Sequence, residues 1–377
     1  MNRAFKFRIY PSKQQENLIQ RTFGCCRLVY NRALALKKET YEKEGKSLSR
    51  MDLNNLCNRE WKEELSFLRE VDKFALTNSI YHLSLAYDNC FKKNAKKPKF
   101  KSKKKAKKAY TTNRTGKNIR IEDNAIRLPK LGFVKAVIHR KAPENWVIKS
   151  VTVSQEADGR YYVSVLYEYE ETVTVSVDES KVIGLDYKSN GLFADSKGNT
   201  ADVPHFYRRT QKRLVKQQRK LSKKAGNKKN EKKSKNYIKQ QSYINKTHRK
   251  IANQRKDYLH KLSAEITNQH DIICVENLDM RALSNKGFGN GKATMDNGYG
   301  MFLRFVEYKQ QEKGHVLIKV DKFYASSQLC SCCGHKQKLK LSDRTYICPS
   351  CGLVIDRDTN AAKNIETEGL RIYKEAA

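Results

Sequence analysis

The chain has 377 residues, more than one typical domain needs, so two or three domains are expected. Lys and Arg number 77 against 40 Asp and Glu, which gives a net charge of +37. A compact chain this basic repels itself unless a polyanion neutralises it, so the composition points to a polyphosphate partner. No apolar run approaches the ~18 residues of a membrane helix, and no signal peptide is evident. These features exclude a membrane partner and predict a cytoplasmic protein.

The N-terminal half predicts strands flanking a helical block. "RAFKFRIYPS" alternates apolar and basic residues as a half-buried strand does, and Pro11 ends it. Ser12 and Gln15 form a capping box that opens a helix, and helical patterns follow over roughly 52–66 and 71–91. Strand patterns return over 110–175, including a hairpin with Asp158-Gly159 at its turn. These strands and the first one could close a small barrel, with the helical block inserted between them.

Two lysine-rich and arginine-rich segments are candidates for contact with phosphates. Eleven lysines fall between Lys92 and Lys108, a stretch that reads either as a disordered linker or as a loop that follows a phosphate backbone. The region 207–256 is helical, carries basic residues three to four apart, and has Glu231 as its sole acid before Asp257. Gly226 and Asn227 are expected to break it into a helical hairpin. Such a face repels itself without a polyanion, which favours nucleic acid over a merely solvated surface.

The remaining chain alternates strands and helices. "KVIGLDYKSNGLFADSKGN" predicts strand, turn and strand, "DIICVENLDM" a buried strand, and "HVLIKV" another. Between the last two lies a Gly-rich stretch, 285–300, that we interpret as a mobile loop. It contains "GNGKAT", which does not match a phosphate-binding Walker A loop.

Four cysteines have the spacing of a zinc ribbon. Cys330 and Cys333 are followed, after fourteen residues, by Cys348 and Cys351, and each pair precedes a glycine, as tight ligand knuckles require. Four thiolates leave no open coordination position, so this Zn²⁺ would be structural. Of ten cysteines in all, Cys332 is expected to be a spectator.

Three acidic residues occupy the ends of predicted elements and could converge. Asp186 ends "VIGLD", Glu276 ends "IICVE", and Asp358 opens the last helix in "DRDTNAAKN". Clustered carboxylates repel one another unless a cation lies among them, and oxygen ligands suit Mg²⁺ or Mn²⁺. Two such ions about 4 Å apart would activate water and stabilise the leaving oxygen of a phosphodiester.

These segments together resemble the TnpB family, the transposon-encoded relatives of type V CRISPR effectors with a RuvC-type nuclease. The nuclease motifs that carry the resemblance are "GLDYKSNGLFADSKGN", "IICVENL", "SSQLCSCCGHK", "DRTYICPSCG" and "DRDTNAAKNI". Towards the N-terminus they are "RIYPSKQQENLIQRTFGCCRLVYNRAL", "VDKFALTNSIYHLSLAYDNCF" and "LPKLGFVK". The resemblance spans nearly the whole chain.

The resemblance implies a multidomain α+β fold. Residues 1–10 and 95–177 would form a β-barrel wedge domain, and 11–94 an inserted helical recognition domain. Residues 178–325 and 354–377 would form an RNase H-like (RuvC) nuclease domain, with the zinc ribbon, 326–353, inserted before the last helix.

The family also implies the site and the partners. Asp186, Glu276 and Asp358 are its three acids; Asp358 stands two residues before Asn360 as in the family, and Asp356 is the alternative. The implied function is RNA-guided cleavage of target double-stranded DNA next to a short motif, by a monomer bound to a guide RNA from the transposon end, in a prokaryotic cytoplasm at the nucleoid. Candidate contacts to the motif are Lys73, Phe74, Thr77, Thr112 and Asn113.

Three features of the motifs stay open. Arg344 could contact the scissile phosphate or serve the ribbon, and Tyr187 with Lys188 departs from the small residues that many members carry after the first acid. Lys188 could point towards the metals or away from them. The competing functions are a relative that binds without cutting and acts as a repressor, a DNA transposase, and an RNA-processing nuclease. The intact acids favour DNA cleavage.

Overall fold

The computed structural model describes residues 1–170, 176–225, 233–285, 287, 291–340 and 342–376. The chain divides into two compact units, Met1–Glu171 and Thr172–Ala377. The sequence placed the corresponding boundary after residue 177, and the finer division into four domains stays a prediction. No helix among the described residues is long and apolar enough to cross a membrane.

The first unit joins a seven-stranded sheet to a helical block. Its strands are β1 (Asn2–Tyr10), β2 (Ala109–Asn113), β3 (Arg120–Glu122), β4 (Ala125–Leu128), β5 (Gly132–Val137), β6 (Val147–Gln155) and β7 (Tyr161–Glu168). They are all antiparallel, in the order β2-β6-β7-β1-β5-β4-β3. Among the described residues this order has two ends, β2 and β3, so closure into a barrel stays a prediction.

The helical block begins and ends close to where the sequence indicated. The helices are α1 (Lys13–Glu44), α2 (Arg50–Leu56), a π-helical turn (Cys57–Trp61), α3 (Lys62–Glu64), a 3-10 turn (Ser66–Arg69) and α4 (Lys73–Phe91). The Ser12–Gln15 capping box is present at the start of α1. The helical stretch predicted over roughly 52–66 is helical from Arg50 to Glu64 but contains a π-helical turn, in which Cys57 and Trp61 are buried.

The second unit is built on a five-stranded sheet. Its strands are β8 (Val182–Tyr187), β9 (Phe193–Asp195), β10 (Thr200–Ala201), β11 (Ile272–Glu276) and β12 (Val316–Val320), in the order β10-β9-β8-β11-β12. β11 pairs in parallel with both β8 and β12. A separate two-stranded sheet is formed by β13 (Thr345–Ile347) and β14 (Val354–Asp356).

Helices cover both faces of the five-stranded sheet. The helices of this unit are α5 (Phe206–Lys223), α6 (Lys235–Gln269), α7 (Met280–Leu283), α8 (Gly291–Asn297), α9 (Tyr299–Lys313) and α10 (Arg357–Ala376). Ile183, Leu185, Ile273 and Val275 pack with α6 and α9 on one face. Because successive side chains of a strand alternate, the neighbouring residues face the other way, where Ile272, Cys274 and Ile365 of α10 form a second core. The break expected at Gly226 and Asn227 lies outside the described residues, as does Glu231.

The prediction of a mobile loop over 285–300 is wrong for residues 291–300, because they form α8 and the start of α9. Two buried polar side chains hold this segment. Asp296 accepts hydrogen bonds from the backbone of Tyr207 and from Arg255, and Asn297 donates to the carbonyl of Ser189. The sequence did not predict this helix because its glycines have low helix propensity. Its stability comes instead from the long-range contacts of Asp296 and Asn297.

Candidate active site

Asp186 and Glu276 lie at the same end of two neighbouring parallel strands. In the register of β8 and β11, Leu185 pairs with Val275, and the two acids are the next residue in each strand. Neighbouring strands are about 4.8 Å apart, and side chains in register point to the same face. The sheet therefore presents both carboxylates side by side, on the face that α10 covers.

Two glycines allow α10 to lie directly on this face. A β-carbon added at Gly184 would lie 2.0 Å from the carbonyl oxygen of Ala362, and one added at Gly369 would lie 2.3 Å from Sγ of Cys274. Gly184 stands two residues before Asp186 on β8, and Ala362 stands one turn after Asp358 on α10. The helix thus runs antiparallel to β8, and its first turn reaches the end of the strand that carries Asp186.

The start of α10 separates the roles of the two acids in "DRDTN". Asp356 is exposed, and its Oδ1 accepts hydrogen bonds from the backbone N–H groups of Asp358 and Thr359, both at 3.0 Å. This is the position and bonding of a helix N-cap. The side chain of Asp358, by contrast, is only 14% exposed and has no such capping role. The geometry favours Asp358 as the third member of the site.

Electrostatic interactions connect the acids. Burial first, and then the charges of Glu276 and Asp358, raise the pKa of Asp186 well above its ordinary value. Nζ of Lys188 lies 3.6 Å from Oδ2 of Asp358, and Nε of Arg357 lies 3.8 Å from its Oδ1. Lys188 thus points towards the site, which decides the orientation that the sequence left open. Tyr187 faces the opposite side and packs against Tyr299, with ring centroids 4.8 Å apart.

The three carboxylates differ from the cysteines as a candidate metal site. In the part of the chain that the structure describes, the only group of three or more His, Cys, Asp or Glu side chains gathered closely enough to hold a metal ion is the cysteine quartet, whose sulfur atoms lie within 4.8 Å of one another. The three acids do not form such a group. Two divalent ions about 4 Å apart need ligands spread over a larger region than the coordination sphere of one ion. Their oxygen chemistry and mutual repulsion fit hard cations such as Mg²⁺ or Mn²⁺.

The four cysteines meet as their spacing predicted. Sγ of Cys330 lies 3.6 Å from Sγ of Cys351, and Sγ of Cys333 lies 3.6 Å from Sγ of Cys348. A tetrahedral Zn²⁺ with bonds of about 2.3 Å would place its sulfurs about 3.8 Å apart, so the donor set fits this ion. Burial raises the pKa of Cys348, but backbone N–H groups of Cys351 and Ser350 and the neighbouring thiols lower it by more, which favours the thiolate that binds metal.

Each knuckle depends on its glycine. Gly334 and Gly352 both have φ of +73°, a left-handed conformation that side chains other than glycine rarely adopt. Their backbone N–H groups donate to the carbonyls of Cys330 and Cys348, at 2.9 and 3.0 Å. Cys332 lies on the exposed outside of the first knuckle and is not a member of the quartet.

The four-cysteine segment is bonded to α10, which explains why the two motifs adjoin in the sequence. Asn360 donates from Nδ2 to the carbonyl of Leu329 at 2.6 Å and accepts from the backbone N–H of Ser331 at 2.9 Å. Asn364, one turn further, also donates to Leu329, at 2.7 Å. Sequence reasoning used Asn360 only as a landmark and missed Asn364. Two Asn residues four apart, on the face of a helix that is expected to be buried, are the sequence pattern that could have predicted this role for Asn360 and Asn364.

The candidate motif contacts of the first unit lie on α4 and β2, which are joined by Asn78. Its Nδ2 donates to the carbonyl of Thr111 at 2.8 Å and to Oδ1 of Asn113 at 3.2 Å. The predicted residues differ in exposure. Lys73 is exposed, Phe74, Thr77 and Asn113 are half-buried, and Thr112 is 1% exposed beside Asp72. Burial favours a structural role for Thr112.

Arg344 stands at the base of the four-cysteine segment. Its side chain is exposed, while its backbone carbonyl accepts a hydrogen bond from the N–H of Arg357 at 2.9 Å. The backbone therefore helps to fix the start of α10, and the guanidinium group is left at the surface.

Fold and site together define the class: an α/β unit with acidic residues at the ends of adjacent parallel strands, a third acid opening a covering helix, and a four-cysteine segment before it. Three family models match the chain: "Helix-turn-helix domain" over 1–46, "Probable transposase" over 164–286, and "Cas12f1-like, TNB domain" over 299–365. The first match covers β1 and the whole of the single continuous helix α1.

Relatives in other organisms match nearly the full length. A protein of Streptomyces pristinaespiralis, named as an inferred RNA-guided DNA endonuclease, is 34% identical to this chain. The match covers 98% of this chain and 90% of the Streptomyces protein. InsQ of Escherichia coli K12, named in the same way, is 33% identical over 97% and 92%. "TnpB-like protein L79" of Acanthamoeba polyphaga mimivirus is 26% identical over 97% and 73%. The chain belongs to the TnpB family of transposon-associated proteins named as RNA-guided DNA endonucleases.

Solved structures share the fold. A Cas12f1 chain from a complex with guide RNA and target DNA has a TM-score of 0.63 at 14% identity, covering 97% of this chain and 98% of that one. The mini-RNA-guided endonuclease Cas_phi3 has a TM-score of 0.52 at 10% identity, covering 98% and 92%. At these identities the likeness concerns the fold alone.

Proposed function

We propose that this protein is an RNA-guided DNA endonuclease of a transposon that cleaves target DNA next to a short adjacent motif. The observation that carries the proposal is the in-register placement of Asp186 and Glu276 under the first turn of α10, which brings Asp358 to them. The names of the full-length relatives support the same activity.

Asp186, Glu276 and Asp358 would hold Mg²⁺ or Mn²⁺. When bound, the ions would supply an activated water and stabilise the leaving oxygen of the phosphodiester. The protein contributes the fixed positions of the three carboxylates. Lys188 lies close enough to Asp358 to neutralise part of the negative charge before the ions bind. Burial and the neighbouring carboxylates raise the pKa of Asp186, so a bound cation would favour its charged form.

Zn²⁺ in the cysteine quartet would be structural. All four positions of a tetrahedral ion would be filled by sulfur, so no position would remain for water or substrate. Its contribution would be to order the segment that Asn360 and Asn364 bind, and through it the start of α10.

A guide RNA and double-stranded target DNA would be the partners of a single copy of this chain. The net charge of +37 requires a polyanion. The basic loop in 92–108 and the stripes on α5 and α6 are the surfaces proposed for phosphate contact. Lys73, Phe74, Thr77 and Asn113 remain candidates for reading the adjacent motif, with Thr112 supporting them from within the sheet. The protein would act in the prokaryotic cytoplasm, at the nucleoid.

The test is cleavage of a plasmid library by the protein purified with its own RNA, which is sequenced to design the targets. Asp186→Ala is expected to reduce cleavage to background while RNA binding is retained. A variant that cuts as well as the unmodified protein would refute the site. RNA-dependent target binding without cleavage by the unmodified protein would indicate a repressor instead.

A matched pair of substitutions distinguishes the two acids of "DRDTN". Asp358→Asn is expected to abolish cleavage because it removes a proposed metal ligand. Asp356→Asn is expected to preserve it because Asn caps helices about as well as Asp. The opposite pattern would assign the third position to Asp356.

A further inference from the structure

A serine outside the three acids contacts one of them. Ser326 is 4% exposed, and its Oγ donates a hydrogen bond to Oε1 of Glu276 at 2.6 Å. Glu276 ends β11, whereas Ser326 belongs to the segment that enters the four-cysteine site. The bond therefore joins the edge of the sheet that carries Asp186 and Glu276 to the four-cysteine segment.

The backbone around Ser326 is held by α10. Nδ2 of Asn364 donates to the carbonyl of Ser326 at 2.8 Å and to that of Leu329 at 2.7 Å. Asn364 is itself buried, at 6% exposure. Because one amide group binds both carbonyls, Ser326 cannot turn away without breaking a bond to the helix that carries Asp358. The hydroxyl group is consequently presented to Glu276 from a fixed position.

We infer that Ser326 is a positioning residue that orients the carboxylate of Glu276 for a divalent ion. This rests on the proposed function. A hydrogen bond to Oε1 restricts the rotamers of Glu276 and leaves Oε2 to face the site. Outer hydrogen bonds of this kind to ligating groups are typically worth 10-fold to 100-fold in metal affinity or activity. Ser326 is the first residue of the motif "SSQLCSCCGHK", but its contact with Glu276 is visible only in the structure.

The decisive comparison is between Ser326→Thr and Ser326→Val in the full-length protein with its RNA. The two side chains have nearly the same shape, so both disturb the packing equally, and only threonine keeps the hydroxyl group. Mn²⁺ binding is measured by electron paramagnetic resonance and the half-saturating Mg²⁺ concentration by cleavage. We expect both constants to be about 10-fold weaker for valine than for threonine.

Ser327→Ala is the matched control, because Ser327 is adjacent and exposed. It is expected to leave both constants unchanged, and zinc content should be the same in all three variants. Equal Mn²⁺ affinity and equal Mg²⁺ dependence for threonine and valine would overturn the inference, even if both variants melted at lower temperature. Failure of the unmodified protein to cleave any target would count against the proposed function, while a threonine–valine difference in Mn²⁺ binding would still support the positioning role.

Discussion

Gly369 of α10 lies against Cys274 of β11 so closely that a β-carbon on the glycine would be 2.3 Å from Sγ and 2.6 Å from Cβ of the cysteine. With Gly184 against Ala362, this contact sets the distance between helix and sheet. The position of Asp358 over the two strand-end acids thus depends on Gly184 and Gly369, which have no side chains to take part in a reaction.

Substituting these glycines is expected to destabilise the second unit. Gly369→Ala forces a shift of packed atoms, and overpacking of this kind costs about 1–3 kcal/mol. Gly184→Ala should cost more, because the obstructing atom at 2.0 Å is backbone. Thermal unfolding and cleavage measure the effect. Gly24→Ala in α1, where nothing lies within 4 Å of the added carbon, is the control and should be neutral or slightly stabilising.

Removing a cysteine of the quartet is expected to release zinc. Purified protein should contain about one Zn²⁺ per chain by elemental analysis. Cys330→Ser should lose it and lower the melting temperature, because the segment bonded to Asn360 loses its cross-link. Cys332→Ser, in the same knuckle, should keep both the zinc and the stability. Equal zinc loss in both variants would show that the quartet is not the binding site.

Asn31 is expected to anchor the basic loop. Its Nδ2 donates to the carbonyl of Lys101 at 2.9 Å, and its Oδ1 accepts from the N–H of Lys101 at 2.8 Å. Asn31→Ala removes both bonds and should speed cleavage by trypsin within 99–108. The rate of trypsin cleavage within α5 is the internal control, and the substitution should not change it. An unchanged ratio of the two cleavage rates would mean that the loop is held by other contacts.

The pH dependence of stability is expected to include a contribution from Lys309. Burial, then the nearby charge of Lys313, lowers its pKa to about 8. Above this pH the folded state releases the proton while the unfolded state keeps it until about pH 10.5, so stability should rise across this interval. Unfolding of Lys309→Met should lack this rise. Lys256→Met, at an exposed position on α6, should retain it.

Features set by neighbouring residues could be predicted from the sequence. The cysteine quartet follows from the spacing of two knuckles, and the Ser12–Gln15 cap from residues three apart. The hairpin of β6 and β7 follows from alternating patterns around Asp158-Gly159, and Gly159 indeed has φ of +87°. The π-helical turn at Cys57 and the helix α8 could not be predicted, because distant contacts override local propensity there.

The sequence by itself determined which residues could carry chemistry: acids at strand ends, four cysteines in two knuckles and a large excess of positive charge. Only the tertiary structure decided that Asp356 caps α10, turned Lys188 towards Asp358, and brought Ser326 to Glu276. The physical reason is that sequence patterns report periodicity within one element. The site, however, is created by the register of β8 with β11 and by the approach of α10, contacts between residues far apart along the chain.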